Sequence, residues 1–359
     1  MSPYIIKRIL LIPPTLLGIL FFNFLLVQFA PGGPVEQMIA EIQGTSMGSG
    51  ANIGGSGGAV DTALTHDHTL GQTVIDPELI EQIKKQYGMD KPFWTRFFLM
   101  VKKYAQFDLG ESYFRGKTVV ALIREKLPVS ISLGFWSALL VYAISIPLGI
   151  AKAVRAGTRF DVWTSFFVIL GYAVPGFLFG TLLILFFAGG SFFSWFPLKG
   201  LVSANWEQLS WAGKILDYAW HMTLPLLTQV LGGFASLTLL TKNAFLEEMG
   251  KQYVLTARAK GLTAKRILWA HIFRNACLVL VVSFPRAFLH LLFTGALLVE
   301  ILFSLDGLGF LGFNATLTRD YPVIFGTLFV FTLFSLVLHI IGDLLYRQVD
   351  PRINFERRQ

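Results

Sequence analysis

Six stretches of the chain are apolar all round and long enough to cross about 30 Å of hydrocarbon at about 1.5 Å per helical residue. They cover residues 9–30, 129–151, 162–188, 222–241, 276–299 and 322–346. Lys7-Arg8 precedes the first stretch, and Pro31-Gly32-Gly33-Pro34 follows it where a cleaved leader would show a small-x-small site. It reads as a retained helix, bent at Pro13-Pro14. Pro175 and Pro225 are expected to kink the third and fourth spans.

Between the first two spans the pattern changes twice. Residues 43–73 are rich in Gly, Ser and Thr and poor in large apolar groups. Such a segment cannot bury enough surface to offset its ordering entropy, so it is expected to be disordered. From Asp76-Pro77-Glu78 a helix start appears, with an N-cap, a first-turn proline and an acid at the positive dipole end. Leu79, Ile80, Ile83 and Tyr87 then share a face, and Gly88 closes the helix. Asp90-Lys91-Pro92 opens a second helix, whose Phe93, Phe97, Met100, Val101 and Tyr104 keep the helical period. Residues 76–105 are thus two amphipathic helices outside the membrane.

Composition agrees with a membrane solvent. Hydrophobic residues make up 54% of the chain and charged residues only 14%, against roughly 25% charged in soluble domains. A soluble reading would have to bury 34 Phe and 8 Trp with few charges left for the surface. Trp195, Trp206, Trp211 and Trp220 near the third and fourth spans suit an interfacial belt.

The formal net charge of +8 could signal nucleic acid, anionic lipid or membrane orientation. Its distribution decides. Lys7, Arg8, Lys152, Arg155, Arg159, the seven basic residues of 242–275 and those of the tail all fall on one side. The short loops of the other side hold only Lys199, Lys214 and Arg319. Residues 31–128 hold ten more Lys and Arg, but long translocated segments largely escape the rule. Both termini are therefore expected in the cytoplasm, and no nucleic-acid partner is needed. The division is 1–30 for the stub and first span, 31–128 outside, 129–346 for a five-helix core, and 347–359 for a cytoplasmic tail.

Candidate chemistry is sparse. The single Cys277 excludes an intrachain disulfide and any multi-cysteine metal site. His66-Asp67-His68, with Asp61 nearby, reads as solvated loop before it reads as a metal site. The string from Gly110 to Thr118 has five residues between its glycines and fails as a phosphate loop. Gly44-x-Ser46-x-Gly48 and Gly54-x-Ser56-x-Gly58 match a hydrolase motif in letters only, since neither joins a strand to a helix. No catalytic residue, metal or cofactor is expected. Ionisable groups inside spans are functional candidates. Arg286, His290 and Phe293 follow at i, i+4 and i+7, lining a polar path or bonding to another helix or a partner. His339 and Asp343 suit structural pairing, and Asp343 is the only acid inside a span as delimited above. An ion-coupled secondary transporter would show acids at a span midplane or paired broken helices.

The segment between the fourth and fifth spans is the most specific. Residues 244–260 are mostly helix formers, Gly261 breaks the run, and Thr263 can cap a new helix. Ala257 and Gly261, small and four apart, allow close approach to another surface, with Arg258 and Lys260 away from that seam. Here Tyr253-x-x-Thr256-Ala257-Arg258-Ala259-Lys260-Gly261, then His271-x-x-Arg274-Asn275-Ala276, resembles the cytoplasmic coupling loop of bacterial ABC import permeases of the dipeptide/oligopeptide/nickel family. The general loop has a Glu before its Ala pair and a Leu-Pro at its end. Leu255 and Phe273-Arg274 stand there instead, a departure the peptide branch shares.

The resemblance extends along the chain. Pro31-Gly32-Gly33-Pro34 resembles the family's Pro-Gly-Asp-Pro, with Gly33 in place of Asp. Asp90-Lys91-Pro92, Asp108-Leu109-Gly110-x-Ser112, Gly295-Ala296-Leu297-x-Val299-Glu300, Phe303-Ser304, Gly307-Leu308-Gly309, Arg319-Asp320-Tyr321-Pro322 and Asp350-Pro351-Arg352 follow in order. The external insert looks most like the YejB-type branch, whose relatives import microcin C-like peptides. The resemblance implies an all-α integral membrane protein, a MetI-like bundle of six transmembrane helices with an external helical insert. It implies a bacterial inner-membrane permease subunit for short peptides, with nickel or another small solute as the alternative cargo. It also implies a second homologous permease, ATP-hydrolysing subunits and a periplasmic binding protein as partners. Tyr253, Thr256, Ala257, Arg258, Ala259, Lys260 and Gly261 then carry coupling to the ATPase.

Sidedness is directly testable. Cysteine labelling at positions 57 and 258 is expected to place Gly57 and Arg258 on opposite faces of the membrane, and labelling from the same face would overturn the topology.

Overall fold

The structure is a computed structural model describing residues 2–29, 91–190, 192–294 and 296–349. The Pro31–Pro34 motif, the Gly/Ser-rich stretch 43–73, the helix expected from Asp76 and the Asp350-Pro351-Arg352 motif lie outside the described residues.

The described chain is helical, and its one extended pairing is an isolated bridge between Glu111 and Thr118. The helices are α1 (Ser2–Phe29), α2 (Phe93–Ala105), α3 (Val119–Val154), α4 (Arg159–Ala173), α5 (Gly176–Phe187), α6 (Trp211–Met249) and α7 (Gln252–Ala259). Then come α8 (Ala264–Leu302), α9 (Leu308–Thr318) and α10 (Tyr321–Val349). Five of them, α1, α3, α6, α8 and α10, are each long and apolar enough to span. The pair α4 and α5 is apolar enough only when taken together, and it is bent by 92°, the geometry of a broken span or of a re-entrant loop. Its break sits at Val174-Pro175, where proline removes an N–H and drives the preceding residue out of the helical region. Val174 is accordingly extended, at φ −84° and ψ 121°. At Pro225 and at Pro13-Pro14 no break appears, and α6 and α1 run through them.

Several helices outrun their apolar stretches, because capping and local pairing satisfy polar turns that hydropathy does not register. α6 starts at Trp211, where the Ser210 hydroxyl accepts the Gly213 N–H at 3.2 Å. α3 starts at Val119, and its Lys126 pairs with Glu125 and Asp306.

The chain divides into two compact units. In the larger (Met1–Pro13, Ala121–Phe313, Val330–Gln359), α4, α5 and α8 pack against α6. Leu133, Leu183, Met222, Leu224, Ala296, Val299 and Phe303 form one core. Close helix approach rests on small residues: a Cβ at Gly149 would overlap Thr241, and one at Gly180 would overlap Thr228.

Charges are also buried here. Lys152 is fully buried, and its Nζ donates to Thr164 Oγ1 (2.9 Å), Ser165 Oγ (2.7 Å) and the Asp161 carbonyl (3.1 Å). Asp161 also pairs with Lys242 at 2.7 Å, so one carboxylate joins α3, α4 and α6. Glu300 corrects the expectation that Asp343 is the only acid inside a span. It lies in α8, fully buried, and accepts Ser130 Oγ (2.8 Å) and the Phe310 N–H (2.7 Å). A carboxylate is tolerated there because first-turn amides of α9 face it. Asp343 pairs with Arg8 at 3.0 Å, and His339 Nδ1 lies 2.7 Å from the Ser335 carbonyl.

The smaller unit (Pro14–Val120, Asn314–Phe329) has an aromatic core. Phe24 meets Phe93 at 5.0 Å and Phe21 meets Phe97 at 5.5 Å between ring centroids, joining α1 to α2. Tyr104 stands edge-on to Phe329 at 5.2 Å. Two of the sequence motifs meet in this unit. Ser112 Oγ donates to Asp320 at 2.5 Å, and the Tyr113 N–H donates to the same carboxylate at 3.3 Å. Asp320 is 2% exposed. Asp320→Ala would strand both donors, at about 1–3 kcal/mol. The expected outcome is a lower midpoint of thermal unfolding in detergent, and Asp320→Asn is expected to recover part of the loss.

Candidate functional site

The turn between α6 and α8 is built from its own packing. Glu248, near the end of α6, accepts from Lys251 Nζ and from Tyr253 Oη at 2.7 Å. The bond to Glu248 raises the Lys251 pKa above its ordinary value. Burial, reinforced by the same carboxylate, raises that of the Tyr253 phenol. Both groups therefore keep their protons and their bonds to Glu248. On α7, Val254 and Ala257 are buried among Ile150, Ala153, Phe245, Ile267 and Ala276. This short helix thus rests on the ends of α3, α6 and α8. Burying Val254 alone contributes about 1.5–3 kcal/mol.

The opposite face of α7 is open. Leu255, Thr256, Arg258, Ala259 and Lys260 are exposed. Gly261 ends the helix at φ +78°, as its position in the sequence predicts. The Leu262 N–H reaches the Ala257 carbonyl (3.3 Å) and the Gly261 N–H the Arg258 carbonyl (2.9 Å), the paired bonds of a glycine-terminated helix. Thr263 Oγ1 then accepts the Arg266 N–H at 3.4 Å and caps the start of α8. The expected small-residue seam takes another form. Ala257 is 8% exposed and turned inward, three residues on from Val254, so of the two small residues only Gly261 is on the surface.

A second feature lies within the larger unit, a cavity of about 560 Å³. It forms where two elements depart from regularity, the α4–α5 break at Gly176 and a π-helical turn of α8 starting at His290, and where the Gly232-Gly233 pair of α6 carries no side chains. Irregular backbone at membrane depth is tolerated where it lines a cavity. Arg286 and His290 both line it. The π-helical turn takes the residues after His290 out of the i, i+4, i+7 register, and the side chain of Phe293 lies outside the described residues. Gln229 also lines the cavity, only 6% exposed. Its Nε2 donates to the Leu291 carbonyl, while its Oε1 has no partner among the described residues.

Sequence reasoning missed Glu248, Gln229 and the Lys152–Asp161–Lys242 cluster. Gln229 carried a usable signal, since an amide inside an apolar span is costly unless it faces the protein interior. The cluster carried none. Lys152 and Lys242 read only as orientation charges, and their shared acid depends on how α4 folds back.

Comparison with known proteins bears on these features. Residues 145–355 match the family described as binding-protein-dependent transport system inner membrane component. Over the full length of both chains, the sequence is 55% identical to the inner membrane ABC transporter permease protein YejB of Escherichia coli O157:H7. It is 54% identical, again over the full length of both, to the peptidoglycan transport system permease protein YejB of Agrobacterium fabrum. It is 31% identical to the oligopeptide transport system permease protein AppB of Bacillus subtilis, over 99% of this chain and 100% of that one. The matched family region contains the α7 turn and every residue described around it, and all of the cavity's lining residues except Val141 and Tyr142 fall in it as well. With its apolar spanning helices, the chain is a multi-pass inner-membrane protein and belongs to the family of inner membrane components of binding-protein-dependent transport systems.

Proposed function

We propose that the chain is a permease subunit of an ATP-driven importer of short peptides, and that α7 is its contact with the ATP-hydrolysing subunits. Peptide cargo is supported by the oligopeptide permease among the relatives and by the peptide-branch form of the α7 turn. Lys/Arg asymmetry supports a cytoplasmic position for α7 and for both termini. A second, homologous permease completes the path, ATPases dock from the cytoplasm, and a binding protein delivers cargo from outside.

One observation carries this reading: α7 is packed into its own chain on one side and bare on the other. Val254 and Ala257 lock it to the ends of three spanning helices, while Thr256, Arg258, Ala259 and Lys260 face out. A push on the outer face is therefore passed to α3, α6 and α8, because a close-packed contact moves as a block. ATP chemistry stays with the partners, and this chain transmits its displacement. Arg286, His290 and Phe293 belong to the translocation path, with the cavity as part of it.

The test is substitution at the turn. At φ +78° a β-branched residue is strained by about 1–3 kcal/mol. No atom lies within 4 Å of a Cβ built on Gly261, so the chain's own packing is not disturbed. Gly261→Val is expected to reduce peptide uptake, and the stimulation of ATPase activity by loaded binding protein, by about 5- to 150-fold. Membrane insertion and assembly should persist. Arg258→Glu, which reverses an exposed charge, is expected to act the same way. Uptake and stimulation at the unmodified level in both variants would remove α7 from the coupling role.

A further inference from the structure

We infer that the cavity is an anion subsite that receives the free α-carboxylate of a peptide in transit. The inference rests on the peptide-import reading and names the chemical group this cavity selects.

Three features of positive character converge on it. Arg286 and His290 contribute side chains from α8. The third is the start of α5: Gly176 and Phe177 line the cavity, and Pro175 at the N-cap offers no side-chain acceptor. The first amides of a 12-residue helix are left without intrahelical partners there and carry the positive end of its dipole. No acidic side chain is among the lining residues. The Arg286 guanidinium makes no ion pair among the described residues. A fixed charge at membrane depth with no internal partner calls for an external one.

An independent observation points to the same ligand. Gln229 is 6% exposed, and its unpartnered Oε1 belongs to a residue of the cavity wall. An orphaned acceptor of that kind is destabilising and is relieved by a donor brought in with the ligand. A peptide C-terminus supplies both needs at once. Its carboxylate accepts from Arg286, His290 and the α5 amides, and the N–H of its last peptide bond donates to Gln229 Oε1 once that side chain, enclosed in the cavity's wall, shifts toward it. The rest of the lining is largely apolar, with Val141, Leu237, Leu240 and Leu298 available to side chains of any sequence. At about 560 Å³ the cavity falls within the size range of small-ligand clefts. It therefore suits the end of a peptide, recognised by its terminus.

The experiment compares one short peptide with uncharged side chains in two forms, the free acid and the C-terminal amide. Uptake is measured in proteoliposomes holding the intact transporter, with the same binding protein throughout. Selectivity of the binding protein then cancels when the acid-to-amide uptake ratio of a variant is divided by that of the unmodified complex. Arg286→Gln is expected to lower this ratio about tenfold or more, as loss of a charge-assisted hydrogen bond implies. Ser236→Asp, which adds a carboxylate to the cavity lining and keeps Arg286, is expected to lower it as well. It decides the matter where Arg286→Gln does not assemble. Ratios within about twofold of the unmodified value in the assembled variants would overturn the inference. So would Arg286→Gln losing the second permease subunit while Ser236→Asp leaves the ratio unmoved, which would make Arg286 a subunit contact. If the unmodified complex imports neither form of any peptide, it is the peptide-import reading that fails.

Discussion

A backbone amide in hydrocarbon has no water to bond to, and that single constraint shapes the chain. It enforces helices wherever the chain crosses, and it makes each departure from helix informative. Three departures within the larger unit bear on function: the α4–α5 break, the π-helical turn of α8 at His290, and the open turns around α7. Two of them border the cavity, and Gln229 relieves one locally by donating to the Leu291 carbonyl inside the π-helical turn. The third is closed by the glycine termination at Gly261 and the Thr263 cap. Irregularity at the middle of the spans thus borders the cavity, and a second π-helical stretch, Leu268–Ile272, lies near the start of α8.

Within that helical frame, buried charges act as fixings. Asp161 holds two lysines from different helices, Glu300 holds the start of α9, and Glu248 holds the entry to α7. Buried ion pairs contribute little net stability, because desolvation offsets much of the attraction, but removing one partner is costly. Their effect here is geometric. Apolar side chains in lipid slide past one another at little cost, since the solvent is as apolar as the core. Hydrogen-bonded carboxylates do not, so they set the relative positions of helix ends. Glu248 and the Asp161 cluster fix the helix ends from which the displacement proposed for α7 would spread.

The two features proposed to carry function differ in kind. α7 presents a rigid face whose value lies in being attached to the spans. The cavity lies where helices loosen, with Arg286 making no ion pair among the described residues. One suits a mechanical contact, the other a passing ligand. Their separation along the chain, in the α6–α8 turn and in the middle of α6 and α8, matches a device in which energy enters at one place and cargo at another.

Apolar runs by themselves determined where helices long enough to cross a membrane lie, because hydrocarbon thickness translates directly into residue count; five such helices and one bent pair stand at the six stretches. Local chemistry determined the Gly261 termination and the Thr263 cap, since each depends only on neighbours in sequence. The ordered motifs identified the family, and the 55% identity to a YejB permease agrees. Tertiary structure decided the rest. Which prolines interrupt a helix was one such matter: Pro175 does and Pro225 does not, although the sequence predicts a kink at both. The inward turn of Ala257 was another, set by the helix ends it packs against. Lys152, Asp161 and Lys242 meet only after α4 folds back on α6, and Glu300 is an acid inside a helix only because α9 brings amides to it. The cavity needed all of this, since Arg286, Gln229 and Gly176 are distant in sequence and a charge acquires a role only from what surrounds it in space.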